Sequence, residues 1–245
     1  MEDKALLSTE VASGAEKAEL LIVIPAYNEA ENIERVVNHL TANFPQYDYV
    51  VVNDGSRDET AAICQRNGYN LLNLPVNLGL AGAFQAGLKY ADKYGYQYAV
   101  QPDGDGQPRP EYLESMIKKM EEGYDIVIGS RFVGEKKPFT MRMLGSNLIE
   151  MAIRFTTGVN IKDPTSGMRM FSKRMIREFA SGLNYGPEPD TVSYLIRQGA
   201  RVAEVPVIMD ERILGVSYLT PVNAMRYMLK MLISILLIQN FRKRR

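Results

Sequence analysis

The chain has 245 residues, of which 46% are hydrophobic and 24% charged, and its 29 basic and 29 acidic residues leave no net charge. That is the size and composition of a globular α/β protein with a sizeable core, and zero net charge gives no global argument for nucleic acid. A single cysteine, Cys64, rules out an intrachain disulfide and fits a reducing compartment, while a single histidine, His39, beside Leu40 in a helical pattern speaks against a His-rich zinc site or a Ser-His-Asp triad.

Residues 1–19 are polar and mixed in charge, with no apolar core of the signal-peptide kind, and read as a loose tail. Residues 20–24 are an apolar run stopped by Pro25, the pattern of a central parallel strand. After Ala26-Tyr27-Asn28 a helix is expected to open near Glu29, with Ile33, Val36, Val37 and Leu40 at helical spacing. A second strand, 49–52, ends at Asn53-Asp54-Gly55-Ser56, and Asp58 can cap a helix over 59–67. Residues 71–74 give a third strand, after which Asn77-Leu78-Gly79 leads into a small-residue helix through Gly87 to Tyr94. A fourth strand, 96–100, runs into Gln101-Pro102-Asp103-Gly104-Asp105-Gly106-Gln107, and Pro108 and Pro110 then open a helix. Alternation of strand and helix at this spacing predicts a doubly wound, mostly parallel sheet flanked by helices.

In such sheets ligands bind beyond the C-terminal ends of the strands. Asp103, Asp105 and Gln107 sit there as hard oxygen ligands, which suit Mg²⁺ or Mn²⁺ rather than zinc. A metal with so few protein ligands borrows the rest from substrate phosphates. Each motif alone is as readily a turn, since Asp, Gly and Ser are turn residues. The convergence of Asn28, Glu29, Asp54, Ser56, Asn77, Asp103 and Asp105 on one rim favours a site.

Val23-Ile24-Pro25-Ala26-Tyr27-Asn28-Glu29, Val51-Val52-Asn53-Asp54-Gly55-Ser56-Arg57-Asp58, Asn77-Leu78-Gly79 and Asp103-Gly104-Asp105-Gly106-Gln107 together resemble the successive motifs of family 2 glycosyltransferases with the GT-A fold. The resemblance implies inverting transfer of a sugar from a nucleotide-sugar. It also implies base binding by Asp54, donor contacts from Pro25, Tyr27 and Glu29 with Ser56, Asn77 and Gly79 beside them, and metal ligation around Asp105. Asn53 stands where many members carry a first Asp, which leaves Asp54 as the only carboxylate there.

In the second half, a strand over 125–128 ends in Gly129-Ser130-Arg131-Phe132, and a helical stretch covers about 141–157. Lys162-Asp163-Pro164-Thr165-Ser166-Gly167-Met168-Arg169-Met170-Phe171, Glu204-Val205-Pro206-Val207 and Arg212-Ile213-Leu214-Gly215-Val216-Ser217 follow. These resemble the dolichol-phosphate mannosyltransferase branch, whose members place one sugar on a polyprenyl phosphate; Tyr218 follows where that branch usually carries Lys. The expected organisation is a tail at 1–19, a GT-A domain at 20–219 with a nucleotide-sugar half (20–108) and an acceptor half (109–219), and a C-terminal helix with a basic tail at 220–245.

Such a site must stabilise a departing diphosphate while a nucleophile attacks the opposite face of the sugar. A divalent ion on Asp103, Asp105 and Gln107 would do this as a Lewis acid. Arg131 and Arg212 are candidates for fixed positive charge near the phosphates, with Arg169 and Ser217 as further substrate contacts. A lipid phosphate is already an anion and needs no base, whereas a hydroxyl acceptor does. Asp163, Glu188 and Asp190 are the candidate bases, Asp163 being preferred by family position, while Asp190 also reads as a helix N-cap.

Residues 223–241 read as one helix whose apolar part, interrupted by Arg226 and Lys230, precedes Arg242-Lys243-Arg244-Arg245. An apolar portion of about fourteen residues spans roughly 21 Å, too short for a hydrocarbon core of about 30 Å. It suits an amphipathic helix in the membrane interface or against a small membrane-protein partner, on the cytoplasmic face. Packing on the domain or a partner subunit is the plainer alternative. The leading expectation is therefore a metal-dependent polyprenyl-phosphate glycosyltransferase. Its rivals are a same-fold transferase acting on a hydroxyl of a cell-surface polysaccharide or lipid-linked saccharide, and a non-catalytic nucleotide-sugar binding module.

Overall fold

The computed structural model describes residues 19–102, 110–135, 137–138, 140–182, 186, 188–208 and 221–241. Its strands are β1 (Leu20–Ala26), β2 (Asp48–Asn53), β3 (Leu71–Asn73), β4 (Tyr98–Gln101), β5 (Ile126–Ser130), β6 (Arg169–Ser172) and β7 (Val202–Pro206). The helices are α1 (Ile33–Asn43), α2 (Thr60–Arg66), α3 (Gly79–Tyr94), α4 (Pro110–Glu121), α5 (Met141–Thr157), α6 (Lys173–Ser181), α7 (Pro189–Arg197) and α8 (Pro221–Leu236), the last followed by a 3-10 turn, Ile238–Phe241. The strands form one seven-stranded sheet in the order β3-β2-β1-β4-β6-β5-β7. The pairings β1 with β2, β1 with β4, β2 with β3 and β5 with β7 are all parallel, as the alternation predicts.

The chain divides into two compact units. The first, residues 1–110 with 170–186, holds β1 to β4. Leu20, Leu21, Ile22, Val23, Val51 and Val52 are almost wholly buried in its centre. The aromatic rings of Phe84, Phe171 and Phe179 join α3 to β6 and α6, with centroids 5.5 and 5.4 Å apart. The second, residues 111–169 with 187–245, holds β5, β7 and the helices α4, α5, α7 and α8.

Two boundaries differ from expectation for identifiable reasons. Pro25 lies inside β1, paired with Val52. Proline lacks a ladder donor, and among the described residues β1 pairs with β4 only over Leu20, Leu21 and Ile22, short of Pro25. The first helix starts at Ile33 rather than near Glu29. Asn28 takes a left-handed φ of 54°, and residues 30–32 form a turn in which the Asn32 and Ile33 amides both donate to Glu29 O (2.9 and 2.8 Å) before the regular helix starts.

Candidate active site

In the first unit the loops after β1 and β2 are laced together. Asn28 donates its amide to Ser56 Oγ (3.0 Å) and accepts the Arg57 amide on Oδ1 (2.9 Å). The Glu29 amide donates to Thr60 Oγ1 (2.9 Å) and the Ala30 amide to Asp58 Oδ2 (3.0 Å). Asp58 also accepts the Thr60 amide (3.0 Å), but it precedes the N-cap position of α2, which Glu59 occupies without a side-chain capping bond. Burial raises the Asp58 carboxyl, but these hydrogen bonds outweigh it and hold its pKa below the usual range.

Asp54, 3% exposed, directly follows β2. Its amide donates to Ala26 O (2.8 Å), its Oδ1 accepts the Leu78 amide (2.7 Å), and its carbonyl accepts from Asn77 Nδ2 (3.1 Å). Asn77 Oδ1 in turn accepts the Gly79 amide (3.2 Å), where a φ of 75° admits the turn into α3. The loops after β1, β2 and β3 thus meet on one rim, with Oδ2 of Asp54 unbonded among the described residues. Asn53 has its own explanation. Its Nδ2 donates to Asn73 Oδ1 (2.6 Å) across β2 and β3, and its Oδ1 accepts the Ser56 amide (3.3 Å). A carboxylate has no hydrogen to give Asn73. Pro25 is half-buried and Tyr27 is 37% exposed beside this rim.

The second unit contains a relay that the sequence did not announce. Arg131, at the end of β5, grips Asp163 in a bidentate pair, Nε to Oδ2 at 2.7 Å and Nη2 to Oδ1 at 2.8 Å. The Arg131 amide adds a third bond to Oδ2 (3.1 Å), and Thr165 Oγ1 approaches Oδ1 at 3.4 Å. The Asp163 side chain is 0% exposed. Behind it, Glu204 of β7 accepts the amides of Lys162 and Asp163, each at 2.8 Å. Arg169, 3% exposed, ties the same turn from below, Nε to Ser166 O (3.0 Å) and Nη2 to Pro164 O (2.7 Å). Burial pulls the Arg169 pKa down against the charges of Tyr227, Asp163, Glu188 and Asp190.

Asp190 is the second residue of α7, and Glu188 occupies the N-cap position, so Asp190 is not the cap. Its Oδ1 accepts the Thr191 amide (2.8 Å) and its Oδ2 accepts from Ser234 Oγ of α8 (2.6 Å). Burial and the neighbouring Asp190 charge raise the Glu188 carboxyl, against the pull of Lys230 and Arg169. Of the candidate residues, Asp103, Asp105, Gln107, Arg212 and Ser217 lie outside the described residues. Among the described residues no cluster of three His, Cys, Asp or Glu side chains is placed to hold a metal. Glu204 was missed as a site residue because its two partners lie 42 and 41 positions away, beyond any local pattern.

The mostly parallel α/β sheet, with interlocked Asn, Asp and Ser loops at its strand ends, has the GT-A fold of its solved structural neighbours. The chain belongs to glycosyl transferase family 2, whose model matches residues 21–179, and is a glycosyltransferase. It is 31% identical over 223 residues to polyprenol monophosphomannose synthase of Mycolicibacterium smegmatis, covering 86% of this chain and 84% of that protein. It is likewise 31% identical to undecaprenyl-phosphate mannosyltransferase of Micrococcus luteus, over 81% of this chain and 86% of that one. Among solved structures, glucosyl-3-phosphoglycerate synthase of Mycobacterium tuberculosis, in complex with Mn²⁺, UDP and glucosyl-3-phosphoglycerate, shares the fold with a TM-score of 0.61. That match has 19% identity over 92% of this chain and 81% of the other.

Proposed function

We propose that this glycosyltransferase moves one sugar, with inversion, from a UDP- or GDP-sugar to a polyprenyl phosphate at the cytoplasmic membrane face. The observation that carries the acceptor is the state of Asp163. A carboxylate offers about four acceptor positions, and Arg131 Nε, Arg131 Nη2, the Arg131 amide and Thr165 Oγ1 fill them. The preferred base therefore has no position left for a substrate proton. An acceptor that arrives already ionised needs none. Asp163 becomes the group that aims Arg131, and Arg131 the cation near the phosphates, with Arg212 and Ser217 beside it. The names of two relatives, a polyprenol-phosphate and an undecaprenyl-phosphate mannosyltransferase, support the same acceptor class.

For the donor, Asp54 Oδ2 would accept from a nucleobase, with Pro25, Tyr27, Glu29, Ser56, Asn77 and Gly79 forming the surrounding loops. Asp103, Asp105 and Gln107 are an all-oxygen donor set that fits Mn²⁺ or Mg²⁺. When bound, such an ion would neutralise the charge of the leaving diphosphate. The partner surface of the C-terminal helix α8 is a membrane or a small membrane protein, and among the described residues no helix is long and apolar enough to cross a membrane. Nucleotide release is to be measured from UDP- and GDP-sugars with undecaprenyl phosphate in detergent, with and without Mn²⁺ or Mg²⁺. Product that requires both lipid phosphate and metal is expected, and metal-dependent release indifferent to the lipid would move the acceptor to a hydroxyl.

A further inference from the structure

The donor-side loops gather beyond the C-terminal ends of β1, β2 and β3. At the other end of the same strands, a cavity of about 270 Å³ opens between the C-terminal end of α1 and the start of β2. Ile22, Leu40 and Phe44 line it and are almost wholly buried. Tyr47, Asp48 and Tyr49 line it as well and are half-buried. Asp48 opens β2 and Asp54 directly follows it, so at about 3.3 Å per residue the cavity lies roughly 20 Å from the carboxylate of the donor side. None of its lining residues belongs to the site described above.

One full charge lines this cavity. Asp48 accepts the Tyr96 hydroxyl on Oδ2 (2.8 Å), and its Oδ1 accepts nothing among the described residues. Burial first, and then this bond, push the Tyr96 phenol up, so the proton stays on Tyr96 and the charge on Asp48. No Lys, Arg or His side chain among the described residues lines the cavity. The C-terminal end of α1 adds the negative pole of the helix dipole, and the last turn of that helix carries no basic residue to offset it.

These features select the occupant. An anion would meet both the Asp48 charge and the negative pole of α1. A neutral apolar molecule would shut Asp48 away from water with no countercharge, which is unfavourable. A divalent metal needs several oxygen ligands, and a single carboxylate lines the cavity. A nucleotide-sugar is too large, because drug-sized ligands already occupy about 300–1,000 Å³. A small organic cation meets every feature. Its charge pairs with Asp48 and the pole of α1, and its alkyl groups find Ile22, Leu40 and the rings of Phe44, Tyr47 and Tyr49. Aromatic faces attract a cation through their quadrupole, as aliphatic side chains do not.

We infer that the first unit carries a second binding site, for a small alkylammonium cation, at the end of the sheet away from the donor loops. The site is independent of the acceptor reading, and its test needs no sugar donor. The full-length protein is titrated calorimetrically with choline and with butylammonium, each paired with its uncharged counterpart, dimethylbutanol and butanol. Saturable binding of at least one cation is expected, about tenfold or more tighter than that of its counterpart. Asp48→Asn keeps an acceptor for Tyr96 but removes the charge, and Tyr47→Leu removes a ring. Each should weaken cation binding about tenfold, while both variants still melt cooperatively and bind a UDP- or GDP-sugar as the parent does. Cation and uncharged counterpart binding equally well would overturn the cation as occupant. Cation binding untouched by Asp48→Asn and by Tyr47→Leu would overturn this cavity as its site. No saturable binding of either cation would overturn the proposal outright.

Discussion

Glu204 offers two carboxylate oxygens to two consecutive amides, and nothing else on β7 can replace it. Glutamine keeps the shape but presents one acceptor and one donor, so one amide would face an N–H. The Lys162 bond is exposed and the Asp163 bond part-buried, so losing one costs about 0.5–1.5 kcal/mol. The turn can avoid that cost only by moving, and Asp163 and the Arg131 guanidinium would move with it. Glu204→Gln should therefore lower kcat by about tenfold or more while leaving the Kd for the nucleotide-sugar unchanged; a loss confined to thermal stability would make Glu204 structural only. Arg131→Lys tests the same relay from its far end. A lysine cannot reproduce the fork that meets both oxygens of Asp163, and the acceptor KM should rise with little change in donor binding. Glu188 gives a pH-dependent case. Burial first, then the Asp190 charge, raises its folded pKa, so its favourable contribution is complete below the unfolded value near pH 4.3 and is lost as pH rises through the folded pKa. Glu188→Gln should melt higher than the parent at neutral pH, and the gain should vanish in acid. A difference in Tm that stays constant with pH would remove buried ionisation as its cause.

At the scale of elements, the close approach of α3 to β1 holds the donor-side loops. Gly87 of α3 sits so near Val23 that a Cβ would lie 2.2 Å from Val23 Cγ1. Alanine would gain about 1 kcal/mol of helix propensity but force α3 off the sheet, at a cost of about 1–3 kcal/mol. The clash should win, lowering the midpoint of urea unfolding. The first unit was largely legible in the sequence because its strands are short apolar runs and its loops carry Asn, Asp and Ser, whose short side chains bond backbone close by. Asp58 serving the Thr60 amide and Asn77 serving the Gly79 amide are bonds of that reach. What depends on distant partners was not legible. The ion pair of Asp163 with Arg131, 32 positions away, leaves no local pattern. The exposure of Leu148 and Phe155 was hidden for another reason: an apolar helical stripe has the same spacing whether it meets a core or lies exposed.

For the whole molecule, the decisive property is the order in which the chain visits its two units. It builds most of the first unit by residue 110, leaves for 111–169, returns for 170–186 and leaves again. The returning segment carries Phe171 and Phe179, which pack against each other and, through Phe171, onto Phe84 of α3; Phe179 O also accepts from Gln85 Nε2 at 3.0 Å. A fragment ending at residue 110 would keep the motifs of the β1 to β3 loops yet expose Phe84, now 0% exposed, and lose the Gln85 bond. Burial of a Phe side chain is worth about 1.5–3 kcal/mol, against a total stability on the order of 5–15 kcal/mol for a domain. Removing two ring partners along with β6 and α6 should consume most of that margin. The fragment 1–110 is thus expected to show no cooperative thermal transition and no binding of a nucleotide-sugar. A folded fragment that binds donor would instead show that 170–186 is dispensable to the first unit. The intact chain should unfold in one transition, because neither unit can be completed without the chain passing through the other.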